Sequence, residues 1–202
     1  MLLQLVPFLT ASILLTLSPG PDIIYVLVQS ISNGKKAGIV TTLGLVSGIL
    51  IHTSLVAFGI SAVIKASPIL FSLIKIFGAL YLFFLAYKVF KSDPSIAING
   101  VPQKSSKNLF RQGFIMNVLN PKVTIFFLAF FPGFLWEPEG NTILQFYILG
   151  FLFFLQALLI FGAVALLAGK ISEYLMQHRR SGVFLKWIQV VVFVGIGILI
   201  LL

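Results

Sequence analysis

Six runs of 20 or more residues, nearly free of charge, take up most of this 202-residue chain. A helix needs about 20 consecutive apolar residues to cross a bilayer. The runs cover residues 2–29, 39–64, 68–90, 114–135, 142–168 and 183–202, leaving only short connectors. The chain is 59% hydrophobic and 9% charged, where soluble domains are about 45–50% apolar and about 25% charged. One soluble core of this size could not bury the excess. None of the runs alternates with the period of two that a barrel strand shows, and a helix satisfies its own backbone in lipid. These features predict an all-α integral membrane protein with six transmembrane helices. They exclude a soluble enzyme and any sizeable extramembrane domain.

The basic residues orient the spans. A net charge of +9 would suggest nucleic acid in a soluble chain, but here the cations sit between apolar runs, so no nucleic-acid partner is expected. Lys35 and Lys36 follow the first run. Lys88, Lys91, Lys104, Lys107 and Arg111 surround the third connector, and Lys170, Arg179, Arg180 and Lys186 the fifth. Only Lys65 and the acidic Glu137 and Glu139 occupy the opposite junctions. The positive-inside rule makes the 1–2, 3–4 and 5–6 loops cytoplasmic, with both termini outside. The leading apolar run lacks a basic n-region and is expected to remain as a span rather than be cleaved. A linker at 92–107, rich in Pro, Ser, Asn and Lys, separates halves at 1–91 and 108–202. Halves with three spans each enter the membrane from opposite sides, so homologous halves are inverted repeats, an architecture common among secondary transporters. A short interfacial helix is a further expectation within 169–182.

Proline enters the first and fourth runs at matching places. The first contains Ser18-Pro19-Gly20-Pro21-Asp22. Two prolines remove two backbone donors and clash one turn back, and glycine between them adds freedom. Counted from Pro7, Asp22 lies about 22 Å along a helix, inside the bilayer. A proline kink in a packed helix is one reading. A functional break is the other, and Asp22 favours it, because a carboxylate within a span is costly unless paired or protonated. The fourth run carries Asn117-Val118-Leu119-Asn120-Pro121-Lys122. Its asparagines offer donors and acceptors to freed backbone or a ligand. Lys122 either snorkels or faces Asp22 or a substrate carboxylate. Paired interruptions in two halves point to a transporter site, so helices one and four are expected to be broken.

Other polar groups inside the spans are open to two readings each. Lys75 snorkels outward or reaches the site, the first slightly favoured. His52 relays protons near neutral pH or is a hydrogen-bonded interior histidine. Gln29, Gln156 and Gln189 touch substrate or bridge helices, and Gly44-xxx-Gly48 is a helix-packing pattern. No phosphate-binding glycine loop is present, which argues against an ATP-driven pump within the chain. The absence of cysteine and a single mid-span histidine make a transition-metal site poor. Neither cofactor nor metal is expected.

Ser18–Asp22, Asn117–Lys122, the third-span run LIKIFGALYLFFLAYK and the second-span run GLVSGILIHTSLVAFG together resemble the LysE/RhtB family of bacterial amino-acid exporters, in order and spacing along essentially the whole chain. The resemblance implies a multi-pass protein of the bacterial cytoplasmic (inner) membrane. It would export amino acids or close derivatives, driven by the proton gradient or membrane potential, and form a homodimer. By motif position, Pro19, Gly20, Pro21 and Asp22 would form one half of the substrate site. Asn117, Asn120, Pro121 and Lys122 would form the other, with Lys75 and His52 as further members. Asp22, the sole carboxylate within the runs, would exchange the coupled proton. It also mildly disfavours a dibasic substrate. A small-solute or ion channel is the alternative reading, since broken helices also line pores.

Overall fold

The computed structural model describes residues 2–93, 101–138, 140–178 and 181–201. Among these residues every regular element is helical. The first span is two helices, α1 (Leu2–Leu17) and α2 (Pro21–Asn33), bent by 53° where they meet. Pro21 occupies the first turn of α2, where its missing N–H is no loss and its fixed φ suits a helix start. A single residue, Gly34, then turns the chain into α3 (Lys35–Leu55). Its φ of 84° is in the left-handed region that only glycine adopts readily.

α3 continues through one π-helical turn (Val56–Ile60) into α4 (Ser61–Ala66), and α5 (Pro68–Lys91) returns across the membrane. The fourth span is again a bent pair. α6 (Ser106–Val118) meets α7 (Pro121–Ile125) at 46°, and α7 runs on through a π turn (Phe126–Phe130) and a 3-10 turn (Phe131–Phe134). α8 (Thr142–Gln177) and α9 (Ser181–Leu201) complete the chain. Among the described residues four helices are long and apolar enough to cross a membrane, or up to six spans if each bent pair counts as one.

Two boundaries differ from those expected. The fourth span begins at Ser106 rather than Phe114, because Lys107 and Arg111 make its first turns polar without stopping a helix. Ser105 caps it, accepting from the Asn108 N–H at 3.4 Å. The stretch after residue 168 does not form a separate interfacial helix but extends α8, whose 36 residues reach about 54 Å at 1.5 Å per residue. That exceeds a hydrocarbon core of about 30 Å, so the helix is longer than one crossing requires. Arg179, Arg180, Glu139 and residues 94–100 of the expected linker lie outside the described residues.

The packing draws the two ends of the chain together. α3 packs against α6 and α8, and α5 against α9, so the main contacts join residues before the linker to residues after it. The α3–α6 crossing is close because glycines face backbone. A Cβ on Gly44 would strike the Phe110 carbonyl, and one on Gly113 would meet the Thr41 carbonyl and the Leu45 amide. Small residues permit such approach where lipid offers no hydrophobic drive between helices. Toward the end that holds the start of α1, a phenylalanine cluster fills the centre. Phe127 stacks on Phe131 with centroids 4.0 Å apart, and Phe8 meets Phe131 edge-on at 5.0 Å.

Candidate functional site

Each break leaves helix ends unpaired inside the bundle, and the structure uses one break to satisfy the other. α1 ends at Leu17, so the last carbonyls of that helix have no partner within it. Lys122, at the start of α7, extends its Nζ to the Ser18 carbonyl at 2.9 Å. An ammonium there meets the negative end of α1. The reciprocal link runs from α6 to α2, where the Asn117 amide nitrogen donates to Asp22 Oδ2 at 3.4 Å. Asp22 lies in the first turn of α2, the positive end of that helix. The residues joined are more than 90 positions apart in each case.

The surrounding groups hold this arrangement in place. Asn120 caps α7, accepting from the Lys122 N–H at 3.0 Å. The Asn117 carbonyl receives the Asn120 N–H at 3.0 Å and His52 Nε2 at 3.1 Å. Gly48 makes room for the Asn117 side chain, which a Cβ there would strike. Lys122 Nζ also lies 5.6 Å over the ring of Phe193 on α9. Although Asp22 and Lys122 are within electrostatic reach, the lysine's hydrogen bond goes to the Ser18 carbonyl and not to the carboxylate.

Between the breaks is a cavity of about 20 Å³, walled by Ser18, Gly20, Asp22, Asn117, Asn120 and Lys122 on its polar side. Phe153, Ala157 and Phe161 of α8, Ile49 of α3 and Leu15 of α1 close its apolar side. That is room for roughly one water molecule and too little for an amino acid, so this conformation is closed. Three groups at the cavity, Asp22 Oδ1, Asn117 Oδ1 and Ser18 Oγ, are buried without a hydrogen-bond partner. Groups left in that condition cost about 1–3 kcal/mol each and call for an explanation.

Of the residues expected at a site, Gly20, Asp22, Asn117, Asn120 and Lys122 come together at this cavity. Pro19, Pro21 and Pro121 shape the breaks but do not line it. Pro21 and Pro121 are exposed, and Pro19 borders a separate apolar groove of about 490 Å³. Lys75 is half-buried on α5 and is not among the lining residues. His52 is buried one layer back, against Asn117 and Phe127. Gly20 has φ −168°, extended backbone that any residue adopts, so its value lies in the space it leaves for Lys122 rather than in conformational freedom. Gln156 donates to Thr16 Oγ1 at 2.9 Å and bridges α8 to α1. Sequence reasoning passed over Ser18, whose contribution is a backbone carbonyl, and the α8 residues that close the cavity, since neither carries a side-chain signature.

The structure is thus a helical, polytopic membrane protein with two broken spans, each break stabilised by a cation or amide from the other. More narrowly, the chain belongs to the LysE type translocator family, which it matches over residues 13–202. Its resemblance to the LysE/RhtB exporters is thereby upheld. Over 205 aligned residues it is 29% identical to the uncharacterized membrane protein YrhP of Bacillus subtilis (strain 168), covering 96% of this chain and 97% of that one. Over 174 residues it is 30% identical to the homoserine/homoserine lactone efflux protein of Salmonella typhimurium and 31% identical to that of Salmonella typhi, in both cases covering 86% of this chain and 84% of the relative. No solved structure matches.

Proposed function

We propose that the protein is a secondary transporter exporting a small zwitterionic amino acid or close derivative, of homoserine type, across the bacterial cytoplasmic membrane. The observation that carries this reading is the reciprocal pairing of the two breaks, Lys122 to Ser18 and Asn117 to Asp22. In this closed conformation the two breaks bond to each other through groups that a zwitterion would engage. A substrate carboxylate would draw Lys122 off the Ser18 carbonyl. The freed carbonyl, with Asp22, would then receive the substrate ammonium. The amides of Asn117 and Asn120 are suited to a short polar side chain. One carboxylate beside one lysine balances a neutral zwitterion better than a dibasic molecule. Homoserine comes into this reading from the named relatives.

The same reading has the two halves, 1–91 and 108–202, as inverted repeats that rock about the site, exposing it first to the cytoplasm and then to the outside. Both termini lie outside and the loops bearing Lys35, Lys104 and Lys170 lie in the cytoplasm. Asp22 is the proton carrier, losing a proton inward as substrate leaves. The groups facing it in this role are Lys122 on α7, Asn117 on α6 and, behind Asn117, His52 on α3. A second copy of the chain is the partner expected in the membrane.

The test is export from cells. Cells expressing the native chain, Asp22→Asn or empty vector are fed mixed dipeptides, and every amino acid appearing in the medium is followed. The reading expects faster appearance of one class of amino acid, lost in Asp22→Asn with the variant still in the membrane. Equal appearance from all three strains would refute amino-acid export. Flux that rises without saturation would favour the channel.

A further inference from the structure

The cavity between the breaks is too small in this conformation to admit an amino acid, and a substrate leaving the cytoplasm needs a path to it. On the side of the phenylalanine cluster the interior is aromatic and tightly stacked. On the other side a line of polar side chains runs along α2. Asp22, Tyr25, Gln29 and Asn33 recur at intervals of three, four and four residues, which places them within an arc of about 80° on one face of the helix. Together they extend about 16 Å, from the cavity to the turn at Gly34. The facing apolar residues of the same helix, Ile23, Ile24 and Leu27, line the separate apolar groove.

Along this polar face Asp22 and Gln29 are buried and Tyr25 and Asn33 half-buried. Gln29 is fully buried, at 0% exposure, and its Nε2 has no hydrogen-bond partner. Its Oε1 accepts from Asn33 Nδ2 at 2.9 Å. The Tyr25 hydroxyl is buried beside the Gln29 side chain, one turn on. Asp22 Oδ1 and Gln29 Nε2 thus stand without a partner on the same face of one helix, with the Tyr25 side chain between them. At the far end Asn33 Nδ2 reaches the Val101 carbonyl at 3.5 Å, and the Val101 N–H reaches Ser32 Oγ at 3.4 Å. These long contacts close the line where the chain meets the cytoplasm. A tightly packed apolar stripe would serve a purely structural helix better. A succession of polar groups is what a polar solute requires as it sheds water step by step.

We propose that the Tyr25–Gln29–Asn33 face of α2 is the cytoplasmic access route to the Asp22 cavity, with the Gln29 amide and Tyr25 hydroxyl as its binding groups for a zwitterionic amino acid. The proposal rests on the transporter reading above, and adds to it residues that no break or proline marks. In the conformation described, the route is closed by its own packing. It opens when α2 separates from its neighbours.

The chain contains no cysteine, so single-cysteine variants report one position each. Inside-out membrane vesicles present the cytoplasmic face to a charged, membrane-impermeant methanethiosulfonate reagent. Gln29→Cys and Tyr25→Cys are expected to react, and excess homoserine to slow that reaction several-fold. Ile24→Cys, on the groove-lining side of α2, is expected to stay inert, and the exposed Lys36→Cys to react with or without homoserine. Should Gln29→Cys fail to accumulate, Tyr25→Cys and Asn33→Cys decide. If the polar-face variants are as inert as Ile24→Cys while the native chain still performs amino-acid counterflow, the route is overturned and transport stands. Reaction that is indifferent to every amino acid the native chain counterflows also overturns the route. If the native chain counterflows nothing, the transporter reading itself falls, whatever the labelling.

Discussion

Lys122 gains its position from two neighbours at once, the Ser18 carbonyl at 2.9 Å and the open side of Gly20. A Cβ placed on Gly20 would lie 3.5 Å from Lys122 Nζ, an ordinary contact. Gly20→Ala is therefore expected to retain export, whereas Gly20→Leu would displace the lysine and abolish it. An export assay on both variants checks this, and loss of export in Gly20→Ala would show that the glycine is needed for something other than space. Gly34 is the opposite case. Its left-handed φ makes Gly34→Ala cost about 1–2 kcal/mol, measurable as a lower unfolding temperature of the purified protein in detergent, although nothing lies within 4 Å of the added carbon. His52 bonds the Asn117 carbonyl and does not line the cavity. His52→Ala removes the side-chain hydrogen bond to the Asn117 carbonyl, so weaker apparent substrate affinity with the protein still assembled is the expected result.

Among elements, the α3–α6 crossing decides whether Asn117 reaches Asp22. Gly44→Ala drives a methyl against the Phe110 backbone, which cannot rotate away, and overpacking of this kind costs about 1–3 kcal/mol. The expected outcome is a thermal destabilisation together with reduced export, because the shift that relieves the clash moves α6 away from α2. Unchanged melting and export would show that the crossing has slack. The broken helices were legible in the sequence because proline acts on its own backbone, whatever surrounds it. The start of α6 was not, since Lys107 and Arg111 lower the local hydropathy while leaving the helix intact. Nor was the length of α8. Gly169 reads as a stop, yet it sits mid-helix with nothing within 4 Å of the place its Cβ would occupy. Lys75 shows a third limit, because hydropathy gives depth along a span but not the direction a side chain faces.

At the scale of the molecule, one core draws on both halves of the chain. Phe8, Val26, Leu45, Phe126, Phe153 and Phe193 belong to the same buried cluster. The number of spans could be read from sequence because it depends on run length alone. The pairing of Asn117 with Asp22 and of Lys122 with Ser18 could not, since it depends on how helices distant in sequence cross. On the proposed transporter reading, those pairings mark a single site to which each broken span contributes a charged group. Counterflow of radiolabelled homoserine into proteoliposomes holding the purified protein measures this directly, with native chain, Asp22→Asn and Lys122→Met compared at equal amounts of folded protein. The account predicts saturable counterflow for the native chain and its loss in both variants, one from each break. Native-like counterflow in either variant would contradict it.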